Sequence, residues 1–350
     1  MQSEQLPKLR LVIIFCSIFF LPSVTFPQIK IVAVGDIMMG SLTPRNSVPQ
    51  DSGKKIIPVI KKLVNKGHVV FGNLEGPFIR SDMKVIKDCG MSEIRTCYAF
   101  GMPDYLAPGL KKMGFNMIAL NNNHMDDYGW RGYEHTKRTL AGNNIPYCCQ
   151  DSVRRLTING RKCAFIAYKS NGRKFDINNI PAARQLIREL KKQGNIVIVS
   201  FHGGAEGKDA YRVEDKDEVF LNENRGNVYR FAHSLIDEGA DLILGHGPHV
   251  IRPVELYRNR LIVYSMGNFL THGNISIKGR LGVSMVLEIV LGENGKFIQG
   301  NITPVRLKGR GIPHYDPHRT AVKNLQNSMK DFIAGKTLLI KDSGEFFPAQ

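Results

Sequence analysis

Asp, Glu, Asn and His recur at the ends of five apolar runs in this chain of 350 residues. Residues 31–35 lead into Asp36, and 69–72 into Asn73-Leu74-Glu75. Residues 117–120 lead into Asn121-Asn122-Asn123-His124, 196–200 into His202, and 242–245 into His246-Gly247-Pro248-His249. Strand ends that converge on such side chains are how an α/β sheet gathers a metal site at one edge. One His after a strand is commonly a capping or surface residue, but five matching clusters are hard to ascribe to chance.

Each cluster offers a donor. Glycine beside Asp36 permits a tight turn that faces the carboxylate outward. Glu75 is a hard oxygen donor, with Asn73 placed to cap or orient it. Three consecutive asparagines are costly if buried without partners. Their carbonyls bind metals, and His124 behind them suits either a ligand or a general acid. Asp126 and Asp127 follow as carboxylates able to hold its tautomer. Gly203-Gly204 beside His202 would let a ligand approach the backbone, and Pro248 stiffens the turn between His246 and His249. Two carboxylates, Asn amides and up to four imidazoles suit Mn²⁺, Fe²⁺ or Zn²⁺ better than Ca²⁺ or Mg²⁺. The donors suffice for one or two divalent transition-metal ions, and two such ions can clamp a phosphoryl displacement.

The elements that must position these residues alternate. Strands are expected at 30–34, 69–72, 115–120, 164–168, 196–201 and 241–244, with helices at 54–65, 103–113, 131–141, 181–192 and 227–238. Strands at 260–264, 282–291 and 296–307 then follow in antiparallel style, with a hairpin turn at Gly292-Glu293-Asn294-Gly295. Residues 318–331 fit one more helix.

Lys8 and Arg10 precede an apolar run at 11–21, so residues 1–27 read as a signal peptide or an N-terminal anchor. The chain is expected to be exported to the periplasm or cell surface, or held at the membrane by that segment. Cys89 and Cys97 could close a loop there, Cys148 and Cys149 are adjacent, and Cys163 fits a core strand. The net charge of +17 favours an anionic partner, namely an acidic polymer or a phosphorylated envelope substrate, and export argues against nucleic acid.

Six motifs together resemble the CapA family, the poly-γ-glutamate capsule biosynthesis group within the calcineurin-like metallophosphoesterase superfamily. They are Gly35-Asp36-Ile37-Met38-Met39-Gly40, Gly72-Asn73-Leu74-Glu75, Asn122-Asn123-His124-Met125-Asp126-Asp127-Tyr128-Gly129, Ser200-Phe201-His202-Gly203, Gly245-His246-Gly247-Pro248-His249 and Tyr264-Ser265-Met266-Gly267-Asn268-Phe269. The resemblance implies an α/β four-layer metallophosphatase-like sandwich, two mixed sheets face to face with helices outside. It implies metal ligation by Asp36, Glu75, Asn123, His202, His246 and His249, with His124 as the acid beside the leaving group. Asn73, Asp126 and Asn268 stand behind those ligands. Three positions depart from the classical superfamily. Met38 stands where the His of Asp-x-His would be, Glu75 replaces the bridging Asp, and His246 and His249 are two residues apart where the classical pair is one apart. The expected layout is a leader at 1–27, a CapA-like domain at 28–315 and a C-terminal helix and tail at 316–350. The expected activity is metal-dependent hydrolysis of a phosphoester or related bond in capsule or envelope polymer metabolism. The alternatives are a non-catalytic, metal-stabilised protein that binds or helps export an acidic polymer, and an amide-bond enzyme on poly-γ-glutamate.

Overall fold

The computed structural model describes residues 28–64, 67–87, 98–332, 334 and 337–349. The leader, Cys89 and Cys97 lie outside the described residues.

Ile29–Met38 runs through the middle of a 10-stranded sheet, parallel to Val69–Leu74 on one side and antiparallel to Val283–Leu291 on the other. Its unbroken apolar character follows from being covered on both faces. Ile29, Ile31 and Ala33 enter the core between two sheets, while Val32 and Val34 enter a second core under helices. The neighbouring strands split in the same way, Val69 and Phe71 inward and Val70 outward. The helix Ile56–Val64 covers the outward face with Ile56, Ile60 and Val64, one stripe at i, i+4 and i+8. Ala107–Met113 and Gly129–Gly142 complete that layer.

The second sheet has six strands. Its central strands Arg161–Lys169, Ile196–His202, Leu242–His246 and Arg260–Val263 are parallel, and antiparallel Arg154–Ile158 and Val254–Tyr257 form its edges. The helices Ile180–Lys192 and Val228–Asp237 pack on it, and each begins on an asparagine cap. Asn179 accepts from the Ala182 amide, and Asn227 from the Arg230 amide. Two mixed sheets lie face to face with helices outside, as the resemblance implied.

The later antiparallel strands are not a separate half. Val283–Leu291 pairs along six residues with Ile29–Met38, so they form the other wing of the first sheet. The C-terminal segment contributes to the same sheet. Thr320–Lys330 packs on Val283–Leu291 and Phe297–Lys308, while Leu338–Ile340 and Glu345–Pro348 extend the sheet edge. Cys148, Cys149 and Cys163 are free and buried. No helix among the described residues is long and apolar enough to cross a membrane.

The first functional strand depends on one close approach. A Cβ at Gly35 would lie 1.8 Å from the Gly267 carbonyl oxygen, which accepts the Asp36 amide hydrogen at 3.1 Å. The obstacle is backbone, so it cannot swing aside. Gly35→Ala is expected to destabilise the protein by about 3 kcal/mol. Gly142→Ala, where a Cβ meets nothing within 4 Å at a helix end, should be neutral or stabilising by up to about 0.5 kcal/mol. Chemical denaturation of both variants checks the contrast, and equal stabilities would refute it.

Candidate metal centre

Strand register brings the clusters together. On the large sheet Asp36 stands level with Asn73 on one side and Asn268 on the other. On the small sheet His202 stands level with His246. Asp36, Asn73, His202 and His246 sit toward the C-terminal ends of their strands, the edge where such sheets bind ligands. Asp36 reaches that edge through a bulge. Ala33 pairs with Phe71 and Asp36 with Asn73, three residues against two. The extra residue turns Asp36 off the helix-covered face used by Val32 and Val34.

The carboxylates Asp36 and Glu75 are fully buried, as are His202 and His246, and His249 is nearly so. One donor atom each from Asp36, Glu75 and His202 lie within 4.8 Å of one another. His246 Nδ1 is 3.3 Å from Asp36 Oδ1, and His249 Nδ1 is hydrogen-bonded to Asp36 Oδ2 at 3.0 Å. Asn73 braces both carboxylates, donating to Asp36 Oδ1 at 2.9 Å and Glu75 Oε2 at 2.6 Å. Asn268 donates to the His249 carbonyl oxygen at 3.4 Å. His249 is held at φ 61°, a left-handed conformation uncommon outside glycine. Gly247 before it, at φ 115°, comes so near Gly203 that a Cβ would meet that backbone at 2.9 Å.

Burial works against ionising Asp36, but the imidazoles of His246 and His249 outweigh it and hold the carboxyl well below its ordinary range. Burial likewise opposes ionisation of Glu75. His202 overcomes it despite the nearby Asp36 charge, and the net direction is down. Burial pushes His249 down, yet Asp36, Glu206 and Glu75 raise it to about 10.

The three asparagines have separate tasks. Asn121 donates to the Ala167 carbonyl at 2.7 Å and so ties the large sheet to the small one. Asn122 donates to Asn73 Oδ1 at 3.0 Å and the Leu74 carbonyl at 2.7 Å, and accepts from the His124 amide at 3.1 Å. Asn123 keeps its Oδ1 buried without a partner. Of the two carboxylates after His124, Asp127 meets its Nδ1, at 2.8 Å, while Asp126 pairs with Lys169 at 2.7 Å. His124 Nε2 lies 4.0 Å from Glu75 Oε1, and Phe100 packs on the ring at 4.3 Å between centroids.

One expectation is corrected. Gly203 and Gly204 do not open the backbone to a ligand. A Cβ on Gly203 would meet Ile177 at 2.4 Å, and one on Gly204 the Arg252 guanidinium at 2.7 Å, so both glycines serve internal packing. Met38 is more than a missing donor. It is buried in the helix-side core and its sulfur accepts from the Gly40 amide at 3.3 Å.

Glu206 completes the site beyond the residues singled out from sequence. Glu206 Oε2 lies 3.7 Å from His249 Nε2, and its other oxygen accepts from Arg225 at 2.9 Å. A carboxylate four residues after the His202 motif was the available signal for it.

Buried polar atoms normally find partners. Here Glu75 Oε1, Asn123 Oδ1 and both ring nitrogens of His202 and His246 have no hydrogen bond. His202 Nε2 stands 3.3 Å from Glu75 Oε2 without being aligned to bond it. With Asp36, the donors of Glu75 and His202 lie close together, a mixed N and O set that fits a divalent ion. Asp36, Glu75 and His202 form the nucleus of that donor set.

Fold and edge cluster together define an α/β sandwich with a strand-end donor cluster that could hold a metal ion. The chain belongs to the family of the bacterial capsule synthesis protein PGA_cap, which matches residues 30–272. It is similar to the PGA biosynthesis protein CapA of Bacillus subtilis, 26% identical over 261 residues, covering 68% of this chain and 62% of that protein. It is also similar to the capsule biosynthesis protein CapA of Bacillus anthracis, 27% identical over 265 residues, covering 69% and 60%. A probable polyglutamine synthesis accessory protein of Mycobacterium tuberculosis is 27% identical over 244 residues, covering 60% of each chain. The chain thus spans about three-fifths of the length of these relatives.

Ligation by His249 requires its neutral ring, so a metal must displace the proton that Asp36 and Glu206 favour there. Its raised pKa makes the ion-free pair with Asp36 stabilising below the ordinary value of 6.5, and that contribution is lost as pH rises through about 10. Metal affinity should therefore rise roughly tenfold per pH unit below pH 10, with proton release measurable by titration calorimetry in two buffers. His249→Ala should bind more weakly with a flatter pH dependence, and an unchanged slope would remove His249 from the site.

Proposed function

We propose that this chain is an exported, metal-dependent hydrolase acting on a phosphoester or related bond in capsule, poly-γ-glutamate or envelope polymer metabolism. The observation that carries the reading is the set of buried donor atoms without partners, beside an imidazole already braced by a carboxylate. The names of the similar proteins, all tied to capsule, PGA or polyglutamine synthesis, support the substrate class. Export is supported by Lys8 and Arg10 ahead of the apolar run at 11–21.

Asp36, Glu75, Asn123, His202, His246 and His249 would hold one or two ions of the Mn, Fe or Zn type. Bound there, such ions polarise a phosphoryl or carbonyl oxygen and lower the pKa of water. The chain's own residues do the rest. Asp36 and Glu75 stay ionised because imidazoles oppose their burial penalty, and Asn73 fixes both carboxylates in position. Asp127 accepts at His124 Nδ1, which orients the ring and leaves Nε2 facing the cluster. Lys87 at 3.1 Å and the Phe100 amide at 2.7 Å hold Asp127 in turn. Nε2 is therefore the nitrogen available to give a proton to a leaving oxygen.

His124→Ala should keep its full metal content and lose about 10²–10⁴-fold in turnover on alkyl phosphoesters. The loss should shrink on nitrophenyl esters, whose leaving group needs little protonation. Metal loss in the variant would make His124 a ligand. Full metal with no turnover of any ester or amide by the unaltered protein would favour the binding-protein alternative.

A further inference from the structure

Beyond the metal centre the same sheet edge carries a second feature. Asp36 is level with Asn268, and the paired strands run on to Met38 and Thr271. That is about 7 Å further at the strand rise per residue. Past those ends, loops at 45–47, 273–278 and 309–310 enclose an open cavity of about 460 Å³. Arg45, Lys278 and Arg310 line it, and no carboxylate does. None of the three makes an ion pair among the described residues, whereas Lys169, Lys191, Arg225 and Arg252 elsewhere in the fold do. Asp51 and Asp316, the nearest acidic residues in sequence, cap backbone amides of their own turns, Asp51 those of Gly53 and Lys55 and Asp316 those of His318 and Thr320.

The walls are built, not incidental. Asn274 is buried and donates to the Arg45 carbonyl at 2.9 Å, the Thr43 carbonyl at 3.3 Å and Ser47 Oγ at 3.0 Å. His272, also buried, hydrogen-bonds the Ser47 carbonyl oxygen. The Gly273 amide donates to the Arg310 carbonyl at 2.9 Å, and Gly273 takes a φ of 97° with Ser47 and Arg310 crowding it. The cavity is also coupled to the centre. Thr43 Oγ1 donates to the Ala99 carbonyl at 2.7 Å, and the next residue, Phe100, packs on His124.

We propose that this cavity is the docking subsite for an acidic polymer, taking a run of carboxylates on Arg45, Lys278 and Arg310 while the chain extends toward His124. The inference rests on the reading that the protein handles an envelope polymer, and it gives that polymer a place to bind. Three unpaired cations on fixed loops match a flexible chain of repeated single negative charges. Among the described residues no aromatic side chain lines the cavity, so this lining offers nothing for base stacking, the usual means of holding a single-stranded nucleic acid.

The test is binding of fluorescent poly-γ-glutamate to the full chain, by anisotropy at several salt concentrations. Arg45→Gln, Lys278→Gln and Arg310→Gln combined should weaken binding at least tenfold and flatten its salt dependence. A control triple, Arg154→Gln, Lys162→Gln and Lys192→Gln, makes the same charge change at exposed sites on the small-sheet side and should bind within about twofold of the unaltered protein. His202→Ala should bind the polymer normally while losing metal, which separates failure of docking from failure of the hydrolase reading. Equal weakening by both triples would overturn the subsite, since binding would then follow total charge. Tighter binding of polyphosphate than of poly-γ-glutamate of equal charge would overturn the carboxylate assignment.

Discussion

A carboxylate removed from water must recover its lost hydration from the protein, or it will not stay ionised. Asp36 is about 1% exposed and recovers it from both sheets at once. Asn73 supports it from its own sheet, and His246 and His249 reach it from the other. The contact is therefore a clamp between two layers as well as a pair of charges. It can form only because the apolar core between the sheets brings their edges together. Ile31, Ala33 and Phe71 from one sheet share that core with Val197, Val199 and Leu244 from the other. Apolar burial supplies the general driving force for that packing. The buried charge selects one alignment of the edges, since any slip would leave Asp36 without its imidazoles.

The alignment relies on small backbone irregularities. Strict alternation would put Asp36 on the helix side with Val32 and Val34. The bulge before it re-aims the carboxylate, and glycine at 35 is needed because the Gly267 carbonyl closes in there. A second irregularity, between Asp36 and Ile37, then carries Ile37 and Met38 into the helix-side core. The thioether at 38 thus follows from the backbone path as much as from side-chain choice. An imidazole at that position would be placed among apolar groups and lose its hydrogen bonds.

Much of this could be read from sequence because burial leaves a pattern. The central strands are buried on both faces and so appear as continuous β-branched runs, and the helices end at glycine or begin at Asn caps. Their polar ends located Asp36, Glu75, His202, His246 and His249 at one edge. The edge strands were less legible. Arg154–Ile158 alternates weakly and is largely exposed, although Asn159-Gly160, at φ 47° and 76°, is the expected residue pair for its hairpin turn. The matching turn at Arg258-Asn259 has both residues at positive φ and no glycine to announce it. Within the site, sequence set Asp126 behind the ligands, and the structure gives Asp127 the place beside His124. The choice depends on the turn after His124, which sends Asp126 to Lys169. Glu206 is brought to His249 by a loop whose course no periodicity encodes.

The charges at this edge also constrain what can dock there. Asp36 and Glu75 are both held ionised, and His249 carries a compensating proton. These carboxylates and imidazoles are engaged with one another, so the ion-free cluster has no free positive group to offer an anionic chain. Charge to receive such a chain must come from a divalent ion, from cations outside the cluster, or from both. Lys169 and Lys87 are already committed to Asp126 and Asp127. Among the described residues Arg45, Lys278 and Arg310 are in no ion pair, and Asn274 and Gly273 fix the backbones of Arg45 and Arg310 beside the strand that carries Asn268. Separation of the two groups has a physical reason. Guanidiniums placed among the ligands would pair with Asp36 and Glu75 and compete with the metal, whereas cations beyond the strand ends can hold an acidic chain while those carboxylates remain free to ligate.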